Sequence, residues 1–310
     1  MSERHLVCED LGLAIDDLKR QGYRLDVVYP ADDPAAAVLS RGDDVVLLAT
    51  ADAPPLSAGM PVFRPEFVLA RDDASAGEGR AGMLYRDLIP GRLGGRYIAS
   101  LITIPEGGPV ADWVHFHRIA LQIIYVRRGW VRVVYADQGE PFVMKPGDLV
   151  LQPPLIRHRV LESSPGLEVV EISAPALHET FADHELELPN GRNPDRIYGA
   201  QRFLRHVAAD TPWTPANGGE AQETEMMIAT SGLAEARTIR PLRGEALTFG
   251  GHRGELVFGF VLDGSATLDY RGLHDLAPAD AFVVPPGQAW RLRQPSADFR
   301  LFQVTTTQLD

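Results

Sequence analysis

His115 and His117 are separated by one residue in a stretch of extended-chain character. Their side chains therefore leave the same face of a strand, about 7 Å apart along the backbone. Two imidazoles at that spacing can converge on one ion at metal–nitrogen distances of about 2.0–2.1 Å. Gln122 opens the next apolar run, where an inward-facing amide is costly unless it finds a partner. His158 follows the Pro153–Pro154 corner at the start of another strand-like run. Imidazoles joined by an amide oxygen suit a first-row divalent ion better than Ca²⁺ or Mg²⁺. His115, His117, Gln122 and His158 are the candidate metal ligands.

The elements that must position these residues are strands. Short runs of alternating or β-branched residues recur at Arg96–Ile104, Gln122–Val126, Trp130–Tyr135, Asp148–Leu151, His158–Leu161 and Leu167–Ile172, with turn residues between them. Strand parity turns Arg96, Ser100, Gln152 and Glu171 toward the same interior, although a slip of one residue would reverse each of them. A second β series runs from Glu225 to Gln308 and repeats the first. His117 matches His252 and Gly129 matches Gly264 at one offset; Pro146, Pro153, Pro154 and His158 match Pro278, Pro285, Pro286 and Trp290 at another. This is a tandem duplication. In the second copy Gly250, Val257 and Trp290 stand at the places of His115, Gln122 and His158, leaving His252 alone, and one imidazole makes no mononuclear site. The Trp290 indole is expected to fill that interior beside Phe258, Phe260 or Phe282.

At these residues the chain resembles the cupin superfamily. The first family motif, G-x5-H-x-H-x3-4-E-x6-G, is followed by His115, His117, Gln122 and Gly129. The second, G-x5-P-x-G-x2-H-x3-N, is followed by Gly147, Pro153 and His158. The likeness is close over Tyr85–Ile172 and looser over Glu225–Gln308. It implies a mainly β protein: a bicupin of two double-stranded β-helix (jelly-roll) barrels with a small N-terminal α/β appendage. The expected division is an appendage over 1–71, a metal-binding barrel over 80–185, a connection over 186–224 and a degenerate barrel over 225–310.

Four positions depart from the motifs: Pro109 stands at the leading Gly, Gln122 at the carboxylate, Leu155 at the second-motif Gly and Glu162 at the Asn. Replacing the carboxylate by an amide leaves the site one negative charge poorer, so a bound ion is a stronger Lewis acid held less tightly. Some cupins, including uronate-linearising enzymes, use Gln at this place. One divalent transition metal per chain is expected, Fe first, with Zn, Ni or Mn as alternatives.

The first 70 or so residues read differently. Leu11, Ile15 and Leu18 lie at helical spacing and Gly22 ends that helix, with strands expected at Tyr23–Tyr29 and Asp44–Ala49. This unit is read as a docking appendage without chemistry. The acid pairs Asp16–Asp17, Asp32–Asp33, Asp43–Asp44 and Asp72–Asp73 are placed at surfaces or turns, Asp72–Gly79 is read as a linker, and Arg127–Arg128 as a solvated turn pair. His5, His178, His184, His206 and His274 match no motif and are left as structural.

Composition narrows the classes further. The 310 residues carry a formal charge of −12, which lacks the basic footprint of a nucleic-acid or anionic-membrane partner. Cys8 is the single cysteine, and the start of the chain lacks a signal-peptide apolar core. A cytoplasmic protein with a small-molecule substrate is expected, as a homodimer paired through jelly-roll edges. No P-loop or G-x-S-x-G elbow is present. The leading functional expectation is an Fe(II)-type dioxygenase acting on a small organic substrate. The alternatives are a Lewis-acid isomerase or lyase on a sugar acid or keto acid, and a non-catalytic small-molecule binder.

Overall fold

The structure is a computed structural model that describes residues 2–55, 59–72, 77–78, 82–242 and 245–309. Asp73 and most of the 72–79 linker lie outside them. The N-terminal module comprises β1 (Ser2–Cys8), α1 (Leu11–Arg20), β2 (Arg24–Tyr29), β3 (Ala36–Arg41) and β4 (Asp44–Thr50). β5 (Val68–Ala70), β6 (Gly77–Glu78), β7 (Leu84–Asp87), β8 (Ile98–Ile104), β9 (Gly108–Pro109), β10 (His115–His117) and β11 (Leu121–Arg128) come next. β12 (Val131–Tyr135), β13 (Phe142–Met144), β14 (Leu149–Leu151), β15 (His158–Ser163), β16 (Leu167–Ala174) and β17 (Thr180–Ala182) complete the first barrel. The stretch between the barrels holds β18 (Ile197–Tyr198), β19 (Gln201–Arg202) and β20 (Leu204–His206), and β21 (Thr214–Ala216) and β22 (Gly219–Glu223) open a sheet of the second barrel. After α2 (Met226–Ala229) follow β23 (Ala234–Pro241), β24 (Leu247–Phe249), β25 (Val257–Asp263), β26 (Ala266–Asp269), β27 (Leu273–Leu276), β28 (Ala281–Val283), β29 (Trp290–Arg293) and β30 (Arg300–Thr306).

In α1 the Asp10 side chain accepts a bond from the Leu13 amide at 2.9 Å, capping the first turn, and Leu11 and Leu18 are buried. β1 and β3 add two strands that the sequence pattern does not announce. β1 carries charged residues and is exposed, so it lacks the alternation that marks a half-buried strand. It pairs in parallel with β4. At the other edge β2 pairs with β17, and the module thereby extends a sheet of the first barrel in the order β1-β4-β3-β2-β17-β10-β15-β12-β13.

The facing sheet of that barrel runs β20-β14-β11-β16-β8-β7-β6, and the second barrel is built from β24-β29-β26-β27 and β21-β22-β23-β30-β25-β28-β5. Each barrel thus borrows its edge neighbour from the segment leading into the other: β5 pairs with β28, and β20 pairs with β14. The repeat is visible atom by atom. Gly129 and Gly264 have φ of 74° and 69°, and a Cβ on either would lie 2.3 Å from Ser164 Oγ or 2.4 Å from Ser296 Oγ. Only glycine fits both demands.

Three apolar clusters order the barrels. Val126, Val133, Met144 and Val169 belong to the interior of the first, and Val261, Leu268, Phe282 and Leu292 to that of the second. The third lies between the barrels, where Ile123, Tyr125, Val170 and Ile172 meet Phe258, Phe260, Phe302 and Val304. Beside it Arg96 donates to both carboxylate oxygens of Glu255, at 2.9 and 2.7 Å, with both side chains about nine-tenths buried. Arg96 therefore faces the second barrel and not the interior of its own. Arg127 is likewise buried, 2.6 Å from Glu168, while Arg128 is exposed.

Removing one partner of a buried ion pair strands the other charge. Glu255→Leu is expected to destabilise the chain by about 3–5 kcal/mol, and Arg96→Met/Glu255→Leu to recover most of the loss. The midpoints of urea unfolding of the two variants measure both effects.

Candidate metal centre

On β10 the alternation turns His115 and His117 inward and Phe116 outward, where its ring stacks on Phe181 of β17 with centroids 5.0 Å apart. His115 lies directly across the strand pair from His158 on β15. One ring nitrogen from each of the three imidazoles falls within 4.8 Å of the others, and all three residues are buried. The remaining nitrogens are anchored: His115 Nδ1 sits 2.8 Å from the Trp113 carbonyl, His158 Nδ1 3.1 Å from the Ile156 carbonyl, and His117 Nδ1 3.0 Å from Thr180 Oγ1. A carbonyl can only accept, so Nδ1 of His115 and of His158 carries the proton and Nε2 keeps its lone pair. Asp112 Oδ1, 3.5 Å from His115 Nδ1, adds the carboxylate behind an imidazole that is common around metal sites. Three convergent imidazoles, two with the tautomer fixed by a carbonyl and the third against a hydroxyl that can donate or accept, fit a divalent transition ion.

Gln122 on β11 lines the same cavity. Its Nε2 donates to Glu171 Oε1 at 3.1 Å, and its Oε1 accepts from Gln152 Nε2 at 3.3 Å. Gln152 Nε2 also donates to His158 Nε2 at 3.0 Å, while its Oε1 accepts from the Tyr135 hydroxyl at 3.1 Å. Burial, reinforced by the negative charge of Glu171, pushes the Tyr135 phenol far above its ordinary range, so it stays a donor. Gln152 and an incoming ion compete for one lone pair of His158. Ser100, Gln152 and Glu171, expected inward by parity, all line the cavity.

Sequence reasoning missed three contributors. Thr180 backs His117; His178 packs edge-on against His117 with ring centroids 5.5 Å apart; and Asp32 reaches the cavity from the N-terminal module. The acid pair expected at a surface or turn therefore sends one member inward, and the module is more than a remote appendage. Nothing local marks Asp32, because the strand pairing of β2 with β17 brings it there. The cavity measures about 110 Å³, well above the roughly 10–15 Å³ that a single water needs. Its remaining wall is apolar, with Ile98, Ile102, Ile124, Val131 and Val169 among the lining residues.

Two motif departures acquire a physical reading. Leu155 has φ of 64°, a left-handed conformation that costs a non-glycine residue about 1–2 kcal/mol, and its side chain is exposed. Glu162 points away to an ion pair with Arg132 at 3.1 Å.

The second barrel carries no such cluster among the described residues. Trp290 stacks on Phe249 with centroids 3.8 Å apart and meets Phe282 edge-on at 5.3 Å. Phe258 and Phe260, expected beside it, turn instead to the inter-barrel cluster. Strand register pairs Phe249 with Trp290 as it pairs His115 with His158, so Phe249, and not Gly250, occupies the place of His115. His252 is satisfied on both nitrogens, by the Gly254 amide at 2.8 Å and the Leu256 carbonyl at 2.7 Å.

No family model and no curated protein sequence matches the chain. Solved structures match its fold. A mutant of Bacillus subtilis oxalate decarboxylase superposes with a TM-score of 0.57 at 12% identity, covering 82% of this chain and 80% of that one. The oxalate decarboxylase of Lactobacillus farciminis, in a formate complex, gives 0.55 at 11% identity over 82% and 88%. A glyoxylate-induced protein from Pseudomonas aeruginosa gives 0.57 at 12% identity over 82% and 93%. The fold is that of a bicupin, mainly β, with a His triad able to bind a metal in the first barrel.

Gln122→Glu replaces the bond to Glu171 by two carboxylates in contact. The metal-free variant is expected to lose about 1–3 kcal/mol of stability. Saturating Zn²⁺ is expected to restore it, because an added anionic donor strengthens the site. Thermal unfolding in EDTA and in Zn²⁺ checks both statements.

Proposed function

We propose that this chain is a mononuclear metal enzyme acting on a small organic acid, with His115, His117, His158 and Gln122 as ligands and Fe(II)-dependent dioxygenation as the first reading. The observation that carries it is the convergence of three buried imidazoles on a cavity of about 110 Å³. Neutral donors leave the ion's full charge for an anionic, chelating substrate. A bound divalent ion would supply Lewis acidity to substrate oxygens and, as Fe(II), electrons for O₂.

The surrounding residues have separate tasks. The Nδ1 anchors hold the imidazoles in one tautomer and one orientation. The apolar wall excludes water, which strengthens every charge interaction inside. Glu171, held through Oε1 by Gln122 Nε2 and Ser173 Oγ at 3.1 Å each, offers its other carboxylate oxygen as the acceptor for a substrate proton. The volume favours compact substrates over fused polyaromatic ones.

A second reading, Lewis-acid lyase or isomerase chemistry without O₂, is favoured by the structural likeness to oxalate decarboxylases. Elemental analysis of the anaerobically purified chain beside His115→Ala/His117→Ala tests the centre: one divalent ion per chain is expected in the parent and a near-complete loss in the variant. O₂ uptake on adding Fe(II) with enolisable or catecholic acids supports the first reading. Full anaerobic turnover with Zn²⁺, Ni²⁺ or Mn²⁺ supports the second. Absence of metal after reconstitution overturns both.

A further inference from the structure

The residues that line the cavity sort by character along its length. On β16 the inward-facing series is Glu171, Val169 and Leu167, and β8 matches it in register with Ser100, Ile102 and Ile104. In the facing sheet Tyr135 pairs with His158 and Val133 with Val160, while Val131, next on the same face, pairs with Met144. Gln152 bonds Gln122 of one sheet and His158 of the other, which joins the two polar ends. The other ends meet as one apolar cluster, where Ile102, Leu167 and Val169 pack with Val131, Val133 and Met144. The cavity runs between the two ends and is lined by both. We infer that its substrate is an amphiphile, an acid with an oxygen-bearing head at the imidazole end and a short hydrocarbon tail along β8, β12 and β16.

The other lining residues keep to the same division. His178 and Thr180 contact His117, and Asp32 follows them through the bond from the Ala31 amide to the His178 carbonyl. Ile98 and Ile124 are apolar neighbours of the polar end, and Tyr85 brings a hydroxyl to the apolar one, donating to Met83 Sδ at 3.8 Å. Residues on one strand advance about 3.3 Å each, so Glu171 to Leu167 spans about 13 Å, which sets the reach of the tail. Methylene groups gain by leaving water there. An ionic group at that end would lose its water and, Tyr85 apart, meet no polar side chain of the lining, a burial that costs more than a tail gains. The tail is therefore a hydrocarbon, and a second carboxylate at its end is disfavoured.

The place of the head rests on the metal-centre reading. The place of the tail rests on strand register and on which side chains face the cavity, whether or not an ion is bound.

The test titrates 2-oxo acids of rising chain length, pyruvate, 2-oxobutyrate, 2-oxopentanoate and 2-oxohexanoate, into the full chain reconstituted with Zn²⁺. Calorimetry is expected to show affinity rising about three- to fourfold per added methylene. The branched acid 5-methyl-2-oxohexanoate is expected to bind about tenfold or more tightly than 2-oxoglutarate, which carries a carboxylate at the place of its isopropyl group. Val160→Thr/Val169→Thr exchanges a methyl for a hydroxyl in each sheet and is expected to cut the gain per methylene to about twofold or less. Affinities that stay flat or fall with chain length overturn the tail pocket, the result if the apolar end is closed core. So does a gain that survives the double substitution undiminished, or a preference for the diacid. If the variant does not fold, the parent's series and the isosteric pair decide. Zinc content is measured on the same samples. A chain that loads no zinc overturns the metal-centre reading alone, and butyrate, hexanoate and octanoate on the metal-free chain then decide the tail pocket by the same slope.

Discussion

The sheet carrying β11 and β16 is buried on both faces, and the site depends on that constraint. Along β11, Leu121, Ile123 and Tyr125 face the second barrel, while Gln122 and Ile124 face the cavity. Along β16, Val170 and Ile172 face the second barrel, while Val169 and Glu171 face the cavity. A slip of one residue would drive Gln122 and Glu171 into an apolar interface and swing Ile123 and Ile172 into the polar centre. Both errors cost free energy at once, so the register is held from two sides. The second barrel thereby acts on the first without ligands of its own, and the exchanged strands β5 and β20 tie the two together.

Within that frame the cavity is a problem of burying polar groups in an apolar barrel. The solution is a chain of mutual satisfaction running from Tyr135 through Gln152 to Gln122 and on to Glu171 and Ser173. The histidines join it from the other side, each with Nδ1 tied back to the chain and the opposite nitrogen turned inward. The same backbone slots in the second barrel take the other course. There Phe249 and Trp290 stack face to face, and the space that would hold an ion is filled with aromatic carbon. Duplication kept the scaffold, down to the two glycines that no side chain can replace, and let the interiors diverge.

Much of this was legible in local pattern. The His115–His117 spacing, the Pro153–Pro154 corner before His158 and the paired offsets of the two β series are short-range signals, because strand periodicity dictates which neighbours share a face. The loss of the second site was equally plain from Trp290. Less legible was which inward face each residue meets. Strand parity left Arg96 open to either face, and its guanidinium answers Glu255 across the barrel interface. Of the three aromatics expected as neighbours of Trp290, Phe282 meets it while Phe258 and Phe260 face the other barrel, for the same reason: alternation separates two faces but does not say what covers either one.

What the sequence determined by itself is the duplicated β architecture and the three imidazoles with their amide neighbour, since those follow from spacing along one chain segment. What the tertiary structure decided is the company they keep. The pairing of β2 with β17 carries Asp32 to the cavity, the turn after β16 brings His178 against His117, and strand register puts Phe249 rather than Gly250 opposite Trp290. These are contacts between residues far apart in the chain. Their partners are chosen by the pairing of distant strands and the burial of shared faces, and no periodicity within one segment encodes that choice.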